Sequence, residues 1–371
     1  MARTIVFAGG GTGGHLYPGI AVAEELVVGA ANLNCLFIGS NRQVERSILE
    51  PTSFQSVSLP MDRNFSWRRQ PIQFARSFVQ SFRTARKLLR TENASVIVGL
   101  GGMSSVPTVL AAASLRVPVV LLEQNRIAGR ATRLLSRVAQ RICVSFQETL
   151  GLPSSASRKI SVTGNPVRRE ILNQASARSC DQPDRHRTLL VLGGSQGARR
   201  LNTVVPTIAQ LERQLFTGWR IIHQTGPQDA DAVRERYWRQ QTDAEVHAFI
   251  DDMSSVCRQA DLVITRGGAT TLAELSCLAI PMIIVPYPFA KDDHQTANAR
   301  FFSERNAAAL VPERENALFL ADLRLQCREL ILNAETRQSF GVSAGSLARP
   351  EAANSVMEQL AKCVGIKQFD S

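Results

Sequence analysis

No apolar run in the chain reaches the ~20 residues that a membrane span needs. The best candidate, SVPTVLAAASLRVPVVLL over 105–122, is broken by Pro107, Arg116 and Pro118. A secretory leader is not expected, because TIVFA runs straight into glycines with no small-residue cleavage site behind it. The 7 cysteines are scattered and lack CxxC spacing, which argues against a disulfide framework and for free thiols in a reducing cytosol. No His/Cys cluster has metal-ligand spacing, and neither a metal nor another cofactor is expected. Low-complexity tracts and internal repeats are absent. One stretch is also poor in acids. Between Asp62 and Arg141, 14 Lys and Arg face only Asp62, Glu92 and Glu123, so this segment carries the whole net charge of +11. Charge gathered in that way points to an anionic partner, either nucleic acid or a membrane surface.

With 44% hydrophobic and 20% charged residues, 371 residues suffice for two domains with separate cores. Apolar β-branched runs alternate with helical patterns, the signature of βαβ units and parallel sheets. Strands are expected at 4–7, 34–38, 56–59, 96–99, 117–122, 141–145 and 160–163, with helices at 18–28, 71–90, 105–115 and 130–138. A polar stretch, QASARSCDQPDRHR, interrupts the pattern, which restarts at TLLVLGGSQGARRLN. Later strands are expected at 219–223, 246–250, 262–265, 282–285 and 307–310. Two strand–glycine–helix openings imply an α/β chain of two tandem Rossmann-like domains. The expected boundaries are 1–164 and 165–349, followed by an amphipathic helix in 350–371.

The glycine turns carry the chemistry. Residues 9–14, GGGTGG, formally contain the GxGxxG fingerprint, but the second strand ends Phe37-Ile38-Gly39-Ser40-Asn41 without the carboxylate that an NAD ribose requires. A pyrophosphate remains a good fit, with Gly11, Thr12, Gly13 and Gly14 around it. His15 follows at the edge of a helix. It is either a polar loop residue or a general base, since the positive end of a helix keeps an imidazole neutral and able to take a proton. Gly101-Gly102-Met103-Ser104 is a second glycine turn at a strand end, and two such turns suggest one anionic ligand held between them. Gly193-Gly194-Ser195-Gln196-Gly197 opens the second domain, where Ser195 and backbone N–H groups could hold a diphosphate. Thr265-Arg266-Gly267-Gly268-Ala269-Thr270-Thr271 leads into a helix on which Glu274 is either a ligand for a ribose diol or a first-turn acid favoured by the helix dipole. Asp292-Asp293-His294-Gln295 fits a capping box with Asp292 as N-cap and Gln295 at N3, and Gln295 could equally offer an amide to sugar hydroxyls. Asp229-Ala230-Asp231 resembles a metal-holding DxD, yet its place after Pro227 and before AVRERYW reads as an acidic first helical turn.

Taken in order, GGGTGGHLYPGIAVAEEL, GLGGMSSVP, EQN, TGNPVR, GGSQGA, HQTG, TRGGATTLAEL and DDHQTANA closely resemble one family. It is that of the UDP-N-acetylglucosamine–N-acetylmuramyl-(pentapeptide) pyrophosphoryl-undecaprenol N-acetylglucosamine transferases, and the resemblance runs from Thr4 to about Arg300. It implies the GT-B architecture, with an interdomain cleft and a final helix that returns to the N-terminal domain. It also implies inverting transfer of N-acetylglucosamine from UDP to the C4 hydroxyl of the muramyl sugar of lipid I, giving lipid II at the cytoplasmic face of the cell membrane. Carried over residue by residue, Ile250 would serve uracil, Ala269, Thr270, Thr271 and Glu274 the ribose end, and Ser195 with Arg168 the diphosphate. Asn125 and Gln295 would read the donor sugar, beside Thr12, Gly13 and Gly14. Gly11, Gly101, Gly102 and Ser104 would hold the acceptor diphosphate, and His15 would accept the proton. The chain departs from the family pattern at Leu122, before EQN, at Met103, and at Phe289 in PYPFA; all three concern the acceptor side.

The resemblance selects the membrane surface over nucleic acid as the anionic partner, and other cell-wall synthesis proteins as further partners. In the segment 71–90, Ala75, Phe78, Val79, Phe82, Ala85 and Leu89 are expected on one helical face, bordered by Arg76, Arg83, Lys87 and Arg90. An aromatic, basic loop, Arg63 to Arg69, precedes it, and Arg126, Arg130, Arg133 and Arg137 suggest a second basic stripe.

Overall fold

The computed structural model describes residues 3–29, 33–60, 70–177, 186–194 and 197–366. The Arg63–Arg69 loop, Ser195 and Gln196 lie outside them. The chain divides into two compact units, Met1–Arg168 with Arg349–Ser371, and Arg169–Ala348.

The first unit contains, in chain order, β1 (Arg3–Gly9), α1 (Gly13–Gly29), β2 (Leu33–Gly39), α2 (Gln43–Leu49), β3 (Gln55–Ser58), α3 (Pro71–Thr91), β4 (Ala94–Gly101), α4 (Ser105–Ser114), β5 (Val119–Glu123), α5 (Arg130–Leu135), β6 (Arg141–Val144) and β7 (Ile160–Val162). Its sheet has the order β3-β2-β1-β4-β5-β6-β7, every pair parallel. A parallel sheet is covered on both faces, so its strands read as continuous apolar runs. Ile5 and Phe7 of β1 look to a core shared with α1, whereas Val6 and Ala8 look to the core under α3, α4 and α5.

The second unit contains α6 (Arg169–Ala177), β8 (Arg187–Leu192), α7 (Arg199–Leu211), β9 (Trp219–Gln224), α8 (Ala230–Arg239), β10 (Ala244–His247), α9 (Met253–Gln259), β11 (Leu262–Thr265), α10 (Ala269–Cys277), β12 (Met282–Ile284), α11 (His294–Ser303), β13 (Ala308–Leu310), α12 (Asn316–Leu332) and α13 (Ala334–Ser346). Its parallel sheet has the order β10-β9-β8-β11-β12-β13. The last helix, α14 (Ala352–Val364), places Ala353, Val356, Leu360 and Ala361 in the first unit's core beside Ile20, Ala23 and Leu26. No helix among the described residues is long and apolar enough to cross a membrane.

Several local expectations are corrected. Helix α1 begins at Gly13 rather than at Pro18, because the Thr12 carbonyl already accepts the N–H groups of His15 and Leu16. The proline therefore lies inside the helix. In α3 the buried ridge is Ser77, Ser81, Ala85 and Leu89, while Ala75 and Val79 are exposed. Small residues let one helix approach another closely, here α4, and Ser77 Oγ also donates to the Pro60 carbonyl at 2.8 Å. The outer face of α3 therefore combines Ile72, Ala75 and Val79 with Arg76, Arg83, Lys87 and Arg90, all exposed. The second basic stripe does not form: α5 stops at Leu135, and Arg126 is paired with Glu148 at 2.9 Å.

Candidate active site

Each sheet has one point where the strand order reverses, between β1 and β4 in the first unit and between β8 and β11 in the second. Ligands of open α/β sheets bind outside the carboxyl ends of the strands at such points. The four glycine turns fall at those four strand ends. That placement is the central feature of the molecule.

In the first unit Gly9, Gly10 and Gly11 all have positive φ (+127°, +155° and +92°), as do Gly101 and Gly102 (+97° and +72°). The two turns press on each other: a Cβ at Gly9 would lie 2.6 Å from the Gly101 carbonyl oxygen. Much of the bare backbone is thus required by loop-on-loop packing, a demand that motif spacing does not reveal. His15, in the first turn of α1, is half-buried. Its Nδ1 is 3.0 Å from Thr12 Oγ1, and the Cδ2–Nε2 edge of the ring lies over Gly101, where a Cβ would be 3.0 and 3.3 Å away. Ser104 is half-buried at the start of α4. The structure therefore gathers Gly11, Thr12, Gly13, Gly14, His15, Gly101, Gly102 and Ser104 at one end of one sheet.

The EQN segment is fixed from beneath. Glu123, 3% exposed, accepts from Asn125 N at 3.0 Å and from Gly129 N at 2.8 Å, which folds the loop after β5 around its carboxylate. Gln124 Nε2 donates to the Leu100 carbonyl at 3.1 Å, tying this loop to the strand that leads into the second glycine turn. Asn125 stands at the head of this arrangement. The Arg168 guanidinium stacks 4.3 Å from the ring centroid of Tyr17 on α1. Glu123 and Tyr17 were not foreseen; the one available signal was a carboxylate closing the apolar run VVLLE.

In the second unit a Cβ at Gly197 would lie 2.0 Å from the Thr225 carbonyl oxygen, so the first turn there sits directly on the strand end of HQTG. That strand end is held by a buried polar chain. Asn202 Nδ2 donates to the Thr225 carbonyl at 2.9 Å and to Asp229 Oδ2 at 2.8 Å. Its Oδ1 is therefore the acceptor for His223 Nε2 at 3.2 Å, and His223 Nδ1 accepts from the Tyr237 hydroxyl at 3.0 Å. His223 is fully buried, and burial pushes its pKa down to about 3, so the ring is neutral. The DxD aspartates have protein partners: Asp229 takes the Asn202 bond, and Asp231 pairs with Arg234 at 2.5 Å.

At the β11 end, Ala269 and Thr270 are buried in the first turn of α10 with Thr271 half-buried, and Glu274, 5% exposed, is the sixth residue of that helix. Helical side chains lean toward the N-terminus, which brings this carboxylate back toward the turn. Arg266 is engaged structurally, with Nη1 2.5 Å from Glu313 Oε2 and 3.2 Å from the Val285 carbonyl. The capping box at 292–295 does not form: Asp293 is the N-cap at φ 52° without a side-chain cap bond, and Gln295 is at N2. Instead Gln295 Oε1 accepts from Gly267 N at 3.2 Å and Tyr287 N at 2.9 Å, joining the ends of β11 and β12. Both partners are donors, so its amide NH₂ is the group offered outward. Ile250 is buried but lies three residues beyond β10, not in it. Asp252 turns the chain into α9 there, its Oδ1 accepting from Ser255 N at 3.0 Å.

Residues 5–144 match the family model of the glycosyltransferase family 28 N-terminal domain, and 188–355 that of its C-terminal domain. The chain belongs to glycosyltransferase family 28. Curated relatives in this family include one from Geobacter sulfurreducens, 36% identical over 96% of this chain and 97% of its own length. Another, from Ectopseudomonas mendocina, is 37% identical over 96% of this chain and 98% of its own. Both are named UDP-N-acetylglucosamine–N-acetylmuramyl-(pentapeptide) pyrophosphoryl-undecaprenol N-acetylglucosamine transferase. Among solved structures, Acinetobacter baumannii MurG is 26% identical with a TM-score of 0.74, covering 97% of this chain and 99% of that one. A UDP-GlcNAc 2-epimerase from Neisseria meningitidis, 14% identical with a TM-score of 0.67 over 98% of this chain and 100% of that one, shares the fold alone. The family 28 assignment accounts for two parallel sheets, each with a furnished switch point.

Proposed function

We propose that this chain transfers N-acetylglucosamine from UDP-N-acetylglucosamine to the C4 hydroxyl of the muramyl sugar of lipid I, forming lipid II with inversion. The observation that carries this reading is whole-length identity of 36–37% to transferases of that name, in a chain whose glycine turns occupy both switch points. The acceptor belongs to residues 1–164, with α14 packed back on them, and the donor to 165–349.

Ile250 receives the uracil, and Ala269, Thr270, Thr271 and Glu274 the ribose. Ser195, Arg168 and the N-termini of α7 and α10 receive the diphosphate. Asn125, the Gln295 amide, Thr12, Gly13 and Gly14 address the donor sugar. Gly11, Gly101, Gly102 and Ser104 receive the acceptor diphosphate through backbone N–H groups. In the step itself the C4 oxygen bonds to the anomeric carbon, whose bond to the phosphate oxygen breaks, and the proton of the C4 hydroxyl passes to Nε2 of His15. With Nδ1–H donated to Thr12 Oγ1, Nε2 carries the lone pair that this role requires. UDP leaves with its new charge met by helix N-termini and Arg168.

The exposed outer face of α3 rests on the anionic leaflet of the membrane, its apolar end (Ile72, Ala75, Val79) toward the interface and its arginines toward the headgroups. The deciding experiment is incubation of labelled UDP-N-acetylglucosamine with a short-chain lipid I analogue. A labelled β-linked disaccharide product is expected; labelled donor left unconsumed would refute the assignment.

A further inference from the structure

The first glycine turn has no side chain of its own to fix it over three successive residues, and glycine loses more backbone freedom on ordering than any other residue. Something outside the turn must hold its shape. On one side the second glycine turn does so, through the contact of Gly9 with Gly101. On the other side stand two residues from the corner between β2 and α2. A Cβ at Gly10 would lie 2.7 Å from Glu45 Oε1, and one at Gly11 would lie 2.7 Å from Arg42 Nη1. The faces that glycine leaves bare are thus filled by a carboxylate and a guanidinium. Arg42 Nη1 also donates to the Gly11 carbonyl at 2.8 Å.

Glu45 is itself held rigidly. It is 3% exposed, its Oε2 accepts from Ser40 N at 2.7 Å and Arg42 N at 3.3 Å, and its Oε1 accepts from Ser40 Oγ at 2.8 Å. Gly39 makes room for it, since a Cβ there would lie 2.7 Å from Oε2. Part of this arrangement caps α2, because Glu45 is its N3 residue and takes the N–H of the N-cap Arg42; capping does not account for Oε1 set against Gly10 or for the Arg42 guanidinium on the Gly11 carbonyl. A fixed carboxylate and guanidinium supply directional contacts, and a ligand loop needs a defined shape more than it needs burial.

We propose that Arg42 and Glu45 are positioning residues for the acceptor diphosphate: they lock Gly9–Gly11 in the one shape whose amides meet that anion. This rests on the transferase reading above. Neither residue touches the reacting atoms. Loss of either lets the turn drift, and a drift of about 1 Å at a binding loop costs on the order of 10- to 100-fold in acceptor use.

The test uses the full chain with Arg42→Ala, Arg42→Lys, Glu45→Gln and Gly39→Ala. Gly39→Ala displaces the Glu45 carboxylate without replacing any residue of the turn. Hydrogen exchange read by mass spectrometry is expected to rise about tenfold over residues 9–16 in Arg42→Ala, Glu45→Gln and Gly39→Ala, with β8 peptides unchanged. In steady-state kinetics with a short-chain lipid I analogue, KM for the acceptor is expected to rise about tenfold or more and to outrun by about fivefold any rise in KM for UDP-N-acetylglucosamine, whose sugar meets Thr12, Gly13 and Gly14 at the end of the same turn. Arg42→Lys, which keeps a donor for the Gly11 carbonyl, is expected to recover most of the loss. Unchanged exchange over 9–16, or donor and acceptor KM rising together, would overturn the proposal. If the wild-type chain transfers no sugar, the transferase reading falls, and the exchange comparison still decides whether Arg42 and Glu45 hold the turn.

Discussion

His223 should make the second unit acid-labile. In the native state the ring is fully buried between Tyr237 and Asn202, and its pKa is about 3; an accessible imidazole titrates near 6.5. The unfolded chain therefore binds the proton more tightly, and stability is lost as pH falls below about 6.5. Each pH unit between the two values costs about 1.4 kcal/mol, so the descent from pH 7.5 to pH 5 removes about 2 kcal/mol. That figure changes little for any native pKa below about 4, because at pH 5 the native ring is then almost wholly neutral. The perturbation is His223→Gln, whose amide can still donate to Asn202 and accept from Tyr237 but does not titrate. Urea unfolding followed through Trp219 and Trp238 gives the stability of both chains across this range. The advantage of wild type over His223→Gln is expected to shrink by about 2 kcal/mol between pH 7.5 and pH 5. Parallel pH profiles for the two chains would refute the reasoning, as would a ¹⁵N imidazole signal showing His223 protonated in the folded protein at pH 5.

Three further outcomes are expected. His15→Ala lowers turnover by about 10²- to 10⁴-fold while UDP binding by calorimetry is nearly unchanged; retention of more than about a third of the activity would remove His15 from the role of base. Glu274→Ala weakens UDP-N-acetylglucosamine binding by about 1–3 kcal/mol, since a buried carboxylate that accepts ribose hydroxyls leaves them unpaired when lost, and an unchanged affinity would move the ribose elsewhere. Arg83→Glu/Lys87→Glu on the outer face of α3 weakens co-sedimentation with phosphatidylglycerol vesicles roughly 10³-fold at low salt, and equal sedimentation of variant and wild type would place the membrane surface on another face.

Strands were legible wherever both faces of a sheet are covered, because burial on two sides writes an uninterrupted apolar run; β11 was found at Leu262–Thr265 to the residue. Strand β10 was expected at 246–250 but runs Ala244–His247: its first residues, Ala244 and Glu245, carry no large apolar side chain, and the apolar letters that extend the pattern, Phe249 and Ile250, lie beyond the ladder, the first exposed and the second buried. The inner face of α3 was placed correctly at Phe78, Phe82, Ala85 and Leu89 but not at Ala75 and Val79, because Ser77 and Ser81 complete the buried ridge and small polar residues are invisible to a count of apolar ones. The strand-end turns could be located by their glycines alone. What stands behind them could not. Glu45, Arg42 and the His223–Asn202 chain lie 20 to 35 positions from the backbone they support, and no local periodicity links such residues.

Helix α14 gives the chain an order of completion. The first unit is left open at Arg168 and closed only when residues beyond Arg349 arrive, yet Val356 and Leu360 belong to the same core as Ile20 and Leu26. A ribosome adding about 5–20 residues each second needs roughly 10–40 s to cross the intervening segment. During that interval the nascent first unit carries an unsealed apolar seam along α1, while the second unit is continuous in sequence and can fold as soon as it emerges. The half that carries His15 is thus synthesised first and finished last, and a chain truncated before Ala352 would lose the closing helix of its N-terminal unit while leaving every residue of the second unit in place.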